Sequence, residues 1–191
     1  MLATVARGQF KTTTASIHWL CESSVGNIDA AFLHPDEAAA YAALRTPKRR
    51  HDWLLGRLTA KRLIRHSLAE RFGYDLPPQA IVILSHPDGW PQVSFPTLSG
   101  PPPLTLTISH TGERAFCAVA FGANVPLGAD IETVETRSPG FIADYFTADE
   151  RDLVAVAPED RRTVIANAVW SGKEAALKAI RRGLAEDTRL V

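Results

Sequence analysis

In Trp170-Ser171-Gly172-Lys173-Glu174-Ala175-Ala176-Leu177-Lys178, a glutamate and a lysine stand one helical turn apart, on the same face as the tryptophan. Glu before Lys at this spacing is also the favoured order of an ordinary surface ion pair, so the stretch alone does not require chemistry. It lies inside Glu159 to Arg182, which reads as one long helix with Val164, Ala168, Leu177 and Ile180 toward its buried side. Gly172 sits within it at a cost of about 1 kcal/mol relative to alanine, either because something approaches closely or as a tolerated weak spot. Upstream, Thr147-Ala148-Asp149-Glu150 has the capping-box pattern and predicts a helix to about Val156. Before it, Leu127 to Thr133 reads as a strand, whose alternation puts Asp130 and Glu132 on one face and Ile131 on the other. Two acids facing the same way suit a hard, oxygen-seeking cation, although an exposed strand edge also explains them.

Toward the N-terminus, Leu104 to Ser109 and Ala115 to Phe121 read as two arms of a hairpin around His110-Thr111-Gly112-Glu113-Arg114. Ser109, His110 and Thr111 at the end of the first arm can donate hydrogen bonds to phosphate oxygens, or serve structure alone. Ser85 to Pro103 reads as a long surface loop and Ala80 to Leu84 as a strand. A helix is expected from about Asp52 to Phe72 with Gly73 as its stop, and another from His34-Pro35-Asp36-Glu37 to Leu44, after a loose start. Trp53, Arg57 and Lys61 repeat the spacing of Trp170, Glu174 and Lys178, which suggests two related lobes, 1–122 and 123–191.

The 191 residues carry no net formal charge, but the charges are sorted. Eight basic residues face two acidic ones between positions 48 and 71, and nine acidic face two basic between 126 and 160. A basic part opposite an acidic part suits a polyanionic ligand held by cations on one side and by a carboxylate-bound metal on the other; two solvated helix faces would look the same. No segment has the roughly 20 apolar residues of a membrane span, and no secretory leader is evident, so a cytoplasmic protein with no membrane partner is expected. Cys21 and Cys117 suggest neither a disulfide framework nor a zinc site.

Taken in order, the basic helix, Ile108-Ser109-His110-Thr111, Gly128-Ala129-Asp130-Ile131-Glu132, Phe146-Thr147 with Glu150, and Trp170 to Lys178 resemble the 4′-phosphopantetheinyl transferases. The closer likeness is to the larger, pseudo-dimeric Sfp-like type, over roughly residues 45–191. The resemblance implies an α+β fold of two related lobes, each a helix packed on antiparallel sheet, in a monomer. It also implies transfer of phosphopantetheine from coenzyme A to a serine of an acyl- or peptidyl-carrier protein. Asp130, Glu132 and Glu174 would hold magnesium or manganese. Arg49, Arg50, Arg57, Ser109, His110, Thr111, Lys173 and Lys178 would bind coenzyme A. Glu174, Lys178 and His110 would serve catalysis, Glu174 by taking the serine proton. The sequence departs from the family where a basic residue commonly follows glycine near the adenine; here it reads Gly89-Trp90-Pro91, with Trp90 able to stack on adenine or to fill the core. It also stops at Val191, where the strands of the second lobe would begin, so a truncated second lobe is expected. Two other readings stay open: a non-catalytic carrier-protein-binding relative and a metal-dependent nuclease. Against the nuclease, Glu132 is followed by Thr133 and Val134 rather than by a lysine two positions on, and no aromatic-interleaved basic surface for nucleic acid is present.

Overall fold

The computed structural model describes residues 2–24, 26–182 and 186–191, and its fold is α+β. Strands β1 (Leu2–Lys11), β2 (Ser16–Ser24), β5 (Leu104–Thr111) and β6 (Arg114–Phe121) form an antiparallel sheet in the order β1-β2-β6-β5. β3 (Val82–Ser85) and β4 (Pro91–Ser94) pair as a separate two-stranded sheet. The hairpin expected over 104–121 is present with Leu104 opposite Phe121. The loose start is corrected to two strands. β2 lies between β1 and β6 and is buried along most of its length, so its inward positions include Ser16, His18, Glu22 and Ser24. Polar residues inside a central strand erase the alternation by which a strand is recognised. β4 likewise replaces part of the expected loop over 85–103.

Helix α2 (Pro47–Phe72) crosses the sheet and supplies the main core with Ala60, Leu63, Ile64 and Leu68 against Leu20, Leu106, Val119 and Phe121. It begins five residues before Asp52, because Thr46 caps it by accepting from the Arg49 N–H at 3.2 Å and Pro47 takes its first turn. The run Lys48-Arg49-Arg50-His51 has no apolar rhythm to announce a helix. Gly73 ends it with φ 72°, as expected. α1 (Pro35–Ala42) opens with a capping box of His34 and Glu37, and Glu37 is fully buried in an ion pair with the equally buried Lys61 of α2.

The later helices are α3 (Pro139–Tyr145), which the sequence did not announce, α4 (Ala148–Val156), opened by the expected Thr147–Glu150 capping box, and α5 (Glu159–Ala179). Phe146, Val154, Ala166 and Trp170 form their core, with the Phe141 and Tyr145 rings 4.8 and 5.3 Å from Trp170. α5 stops before Arg182: Arg181 turns left-handed at φ 59°, and the Arg181 and Arg182 N–H groups donate to the Lys178 and Leu177 carbonyls, each at 3.1 Å. Gly183, which follows in the sequence, lies outside the described residues. Of the four residues expected on its buried side only Leu177 is buried, because the inward face runs through Asn167, Trp170 and Lys173, two of them polar. Gly172 faces open space, so no described part of the chain approaches it closely.

The strand expected over Leu127–Thr133 is corrected to an extended segment without a pairing partner. It runs beside β5, but the Ala129 N–H donates to Thr107 Oγ1 at 3.2 Å and the Ile131 N–H to Ser109 Oγ at 3.4 Å, so side-chain hydroxyls take the place of a ladder. On its other side Gly128 lies against α5 so closely that a Cβ there would stand 1.7 Å from the Ala175 carbonyl oxygen. Among the described residues no helix is long and apolar enough to cross a membrane.

Candidate active site

The end of β5, the segment after Gly128 and the last turns of α5 meet at one node. Lys178 Nζ donates to Asp130 Oδ1 at 2.6 Å and to Ser109 Oγ at 3.1 Å, and Ser109 Oγ donates to the same Asp130 oxygen at 2.6 Å. Asp130 is brought here by the Gly128 contact, Lys178 by helical spacing from Trp170, and Ser109 by its inward position on β5. The Asp130 side chain is 4% exposed. Burial alone would push its carboxyl up, but the bonds from Lys178 and Ser109 outweigh that and hold it below the usual carboxylate range. Glu174, one turn before Lys178, is shifted the other way: burial raises it, and nearby Asp130 and Glu132 add to this against the opposing charge of Lys178.

Glu132 is drawn to Arg137, whose Nη2 lies 3.0 Å from its Oε2 while Nε donates to Asn167 Oδ1 at 3.0 Å. Arg137 also pairs with Glu135 at 3.1 Å, and Asn167 donates to the Glu135 carbonyl at 2.6 Å, so this arginine and asparagine fasten the segment to α5. Neither was singled out from the sequence. Asn167, three residues before Trp170 and in a run of apolar residues, is the one signal that was there to read.

Helix α2 and strand β5 contribute further residues. Enclosure by its neighbours lowers the His110 pKa, with Lys48, Lys178 and Arg57 adding and Asp52 opposing, so the imidazole is surrounded by more cations than anions. Arg57 is buried with its guanidinium 4.4 Å over the Trp53 ring, and that burial pulls its pKa down to about 10. Thr111 Oγ1 lies 3.0 Å from Thr133 Oγ1. A cavity of about 470 Å³ opens beside Lys178 between β4, β5 and α5; Trp90, stacked on His86 at 3.7 Å and covered by Arg181 at 5.0 Å, stands in its wall. A larger cavity lies away from this node, at the other half of α2.

Three of the expected ligand-binding residues stand apart from the node. Arg49 is exposed on the first turns of α2. Arg50 folds back to the end of α1, donating to the Leu44 carbonyl at 2.8 Å and covering Tyr41. Lys173 is buried, donating to the Thr188 and Val191 carbonyls at 2.7 and 3.0 Å and pairing with Glu150 at 2.8 Å, so it anchors the C-terminal residues.

Asp130, Glu132 and Glu174 are three hard oxygen donors in one neighbourhood, and Asp130 Oδ2 is buried without a partner among the described residues, which fits a divalent cation. Arg57 Nε is likewise a buried donor without a partner, which fits an anion. As the side chains stand, with Asp130 on Lys178 and Glu132 on Arg137, no three such groups among the described residues are arranged to share one ion.

A family model described as the 4′-phosphopantetheinyl transferase superfamily, ACPS, matches residues 126–191. The chain is 30% identical over 122 residues to the 4′-phosphopantetheinyl transferase psf-1 of Bacillus pumilus, covering 64% of this chain and 48% of that protein. It is also 30% identical over 135 residues to the 4′-phosphopantetheinyl transferase of Bacillus subtilis, covering 70% and 54%. The chain thus spans about half the length of these curated relatives. Among solved structures it is similar to the apo-ACPS structure of Chronobacterium ammoiniagenes, with TM-score 0.45 and 16% identity over 56% of this chain and 96% of that one.

Proposed function

We propose that this chain, whose residues 126–191 belong to the 4′-phosphopantetheinyl transferase superfamily, moves the phosphopantetheine arm of coenzyme A onto a serine of an acyl- or peptidyl-carrier protein. The observation that supports this reading most is the node itself: a carboxylate with raised pKa, Glu174, one turn from a lysine that already binds Asp130 and Ser109. In the reaction the serine oxygen bonds to the phosphorus attached to pantetheine. The pyrophosphate P–O bond breaks, and 3′,5′-ADP leaves with the electron pair.

Each residue then has a task that charge and geometry allow. Glu174, made more basic by burial and by its acidic neighbours, takes the proton from the serine hydroxyl. Lys178 swings from Asp130 onto the transferring phosphate or the departing 3′,5′-ADP. Ser109, His110 and Thr111 hold phosphate oxygens, with Arg57 as a cation behind them. A magnesium or manganese ion, held by Asp130, Glu132 and Glu174 when bound, supplies charge neutralisation at the pyrophosphate. The 470 Å³ cavity beside Lys178 gives the ligand room, with Trp90 offering a flat ring. A cytoplasmic location follows from this reading, because coenzyme A and carrier proteins meet there.

The test is to incubate the protein with coenzyme A and a purified carrier protein, with and without magnesium, and to weigh the carrier by mass spectrometry. Metal-dependent gain of one phosphopantetheine mass supports the reading. An unmodified carrier that nonetheless co-elutes with the protein favours the non-catalytic alternative.

A further inference from the structure

The larger cavity, about 720 Å³, lies between the β1–β2 edge of the sheet and the C-terminal half of α2 and contains none of the residues placed in the candidate active site. Its volume is within the range of small-molecule sites. On its β2 wall His18, Leu20 and Glu22 share one face, spaced two residues apart, so the first and last lie about 13 Å from each other along the strand.

Both ends hold a buried polar atom without a partner among the described residues. Glu22 is fully buried, and its two side-chain contacts, from Arg62 Nε at 3.2 Å and Thr4 Oγ1 at 3.3 Å, both go to Oε1; Oε2 has none. His18 is 4% exposed, and its Nε2 has none. Burial lowers the pKa of this imidazole, opposed by the Glu70 carboxylate and aided by Arg71 and His66, so the ring is neutral and carries one accepting and one donating nitrogen. Between the two ends the walls are Leu20 and Leu63. At one end the unmet atom is therefore a carboxylate oxygen, at the other an imidazole nitrogen beside the Glu70 carboxylate, with an apolar middle between them, and a buried carboxylate with one bare oxygen calls for a cationic donor. Arg62 reaches Glu22 only from the outside, with a side chain 48% exposed, and can yield its place by swinging into water.

We infer that this cavity is a second ligand site, separate from the transfer site, for an elongated organic diamine or polyamine with one ammonium on Glu22 and another near His18 and Glu70. Of the cavity's other cations, Arg65 pairs with Asp75 at 3.7 Å, and Arg7 stands at the outer lip on β1.

Calorimetric titration of the full chain with spermidine tests it. Saturable binding is expected, about tenfold weaker in Glu22→Gln, the worth of one charge-assisted hydrogen bond. Glu135→Gln, in the acidic second half of the chain, should leave it unchanged, which separates the site from loose attraction of a polycation to surface acids. Arg62→Ala removes the competing cation and should tighten binding; Arg62→Gln, which removes the charge but keeps a side chain able to donate to Glu22, serves in its place if Arg62→Ala does not fold. Absence of saturable binding, equal affinity in Glu22→Gln, or no tightening in Arg62→Ala overturns the inference.

Discussion

Removing Lys178 isolates the electrostatics of the node from its chemistry. In Lys178→Met the Asp130 carboxylate, 4% exposed, keeps Ser109 but loses its only cation. Breaking a buried pair by removing one partner costs 3–5 kcal/mol; with Lys178 itself 28% exposed, about 3 kcal/mol is expected at neutral pH. The pH dependence is the sharper test. In the native protein Asp130 has a lowered pKa, so its contribution to stability is present above the unfolded aspartate value near 4 and is lost as pH falls through the lower folded value. In the variant burial is opposed only by the hydroxyls of Ser109 and Ser171, with no cation, so the pKa rises and the penalty is relieved as acid neutralises the carboxylate. Urea unfolding of both proteins at pH 7 and pH 5 should therefore show a stability gap that narrows on acidification. A gap of the same size at both pH values, or none at pH 7, refutes the assignment of the cost to an unpaired Asp130.

Asp130→Ala and Glu174→Ala are expected to abolish transfer to a carrier protein, while Glu135→Ala, whose side chain is 62% exposed, should keep it; carrier mass measures all three. Because the Glu174 pKa is raised, its charged form weighs on stability once pH passes the unfolded value, so Glu174→Gln should melt higher than the native protein at pH 7 and no higher at pH 4. Gly128→Ala puts a methyl 1.7 Å from a helix carbonyl and should cost about 3 kcal/mol or more in urea unfolding, with loss of transfer even where the protein folds. Coenzyme A should bind more weakly as salt rises, and dephospho-coenzyme A more weakly than coenzyme A, by calorimetry; equal affinities would remove the role of the basic residues around His110.

The residues of the node were legible because their spacing is local: Glu174 and Lys178 are one turn apart, Asp130 and Glu132 two residues apart, and Ser109 ends an apolar strand. What joins them was not. That Lys178 reaches across 48 residues to Asp130, or that Glu132 belongs to Arg137, depends on how α5 lies against the extended segment, which no local pattern encodes. The same limit explains β2, whose buried His18 and Glu22 look like surface residues until a strand is placed on each side. Lys173 shows the reverse error. It sits in the middle of the motif, yet helical geometry turns it 100° away from Glu174 and into the protein.

The extended segment after Gly128 also has mechanical consequences. Gly128 is pinched against α5 and acts as a fulcrum, while Asp130 and Glu132 ride on the arm beyond it. Two hydroxyls, Thr107 and Ser109, hold that arm along β5, and a hydroxyl lets go by rotating about one bond, whereas a ladder must break in concert. Under the proposed function, this arm would bring its carboxylates to an ion by side-chain rotations, with the sheet undisturbed. The amides of Ala129 and Ile131 should accordingly exchange with solvent much faster than those of β6, only a strand away.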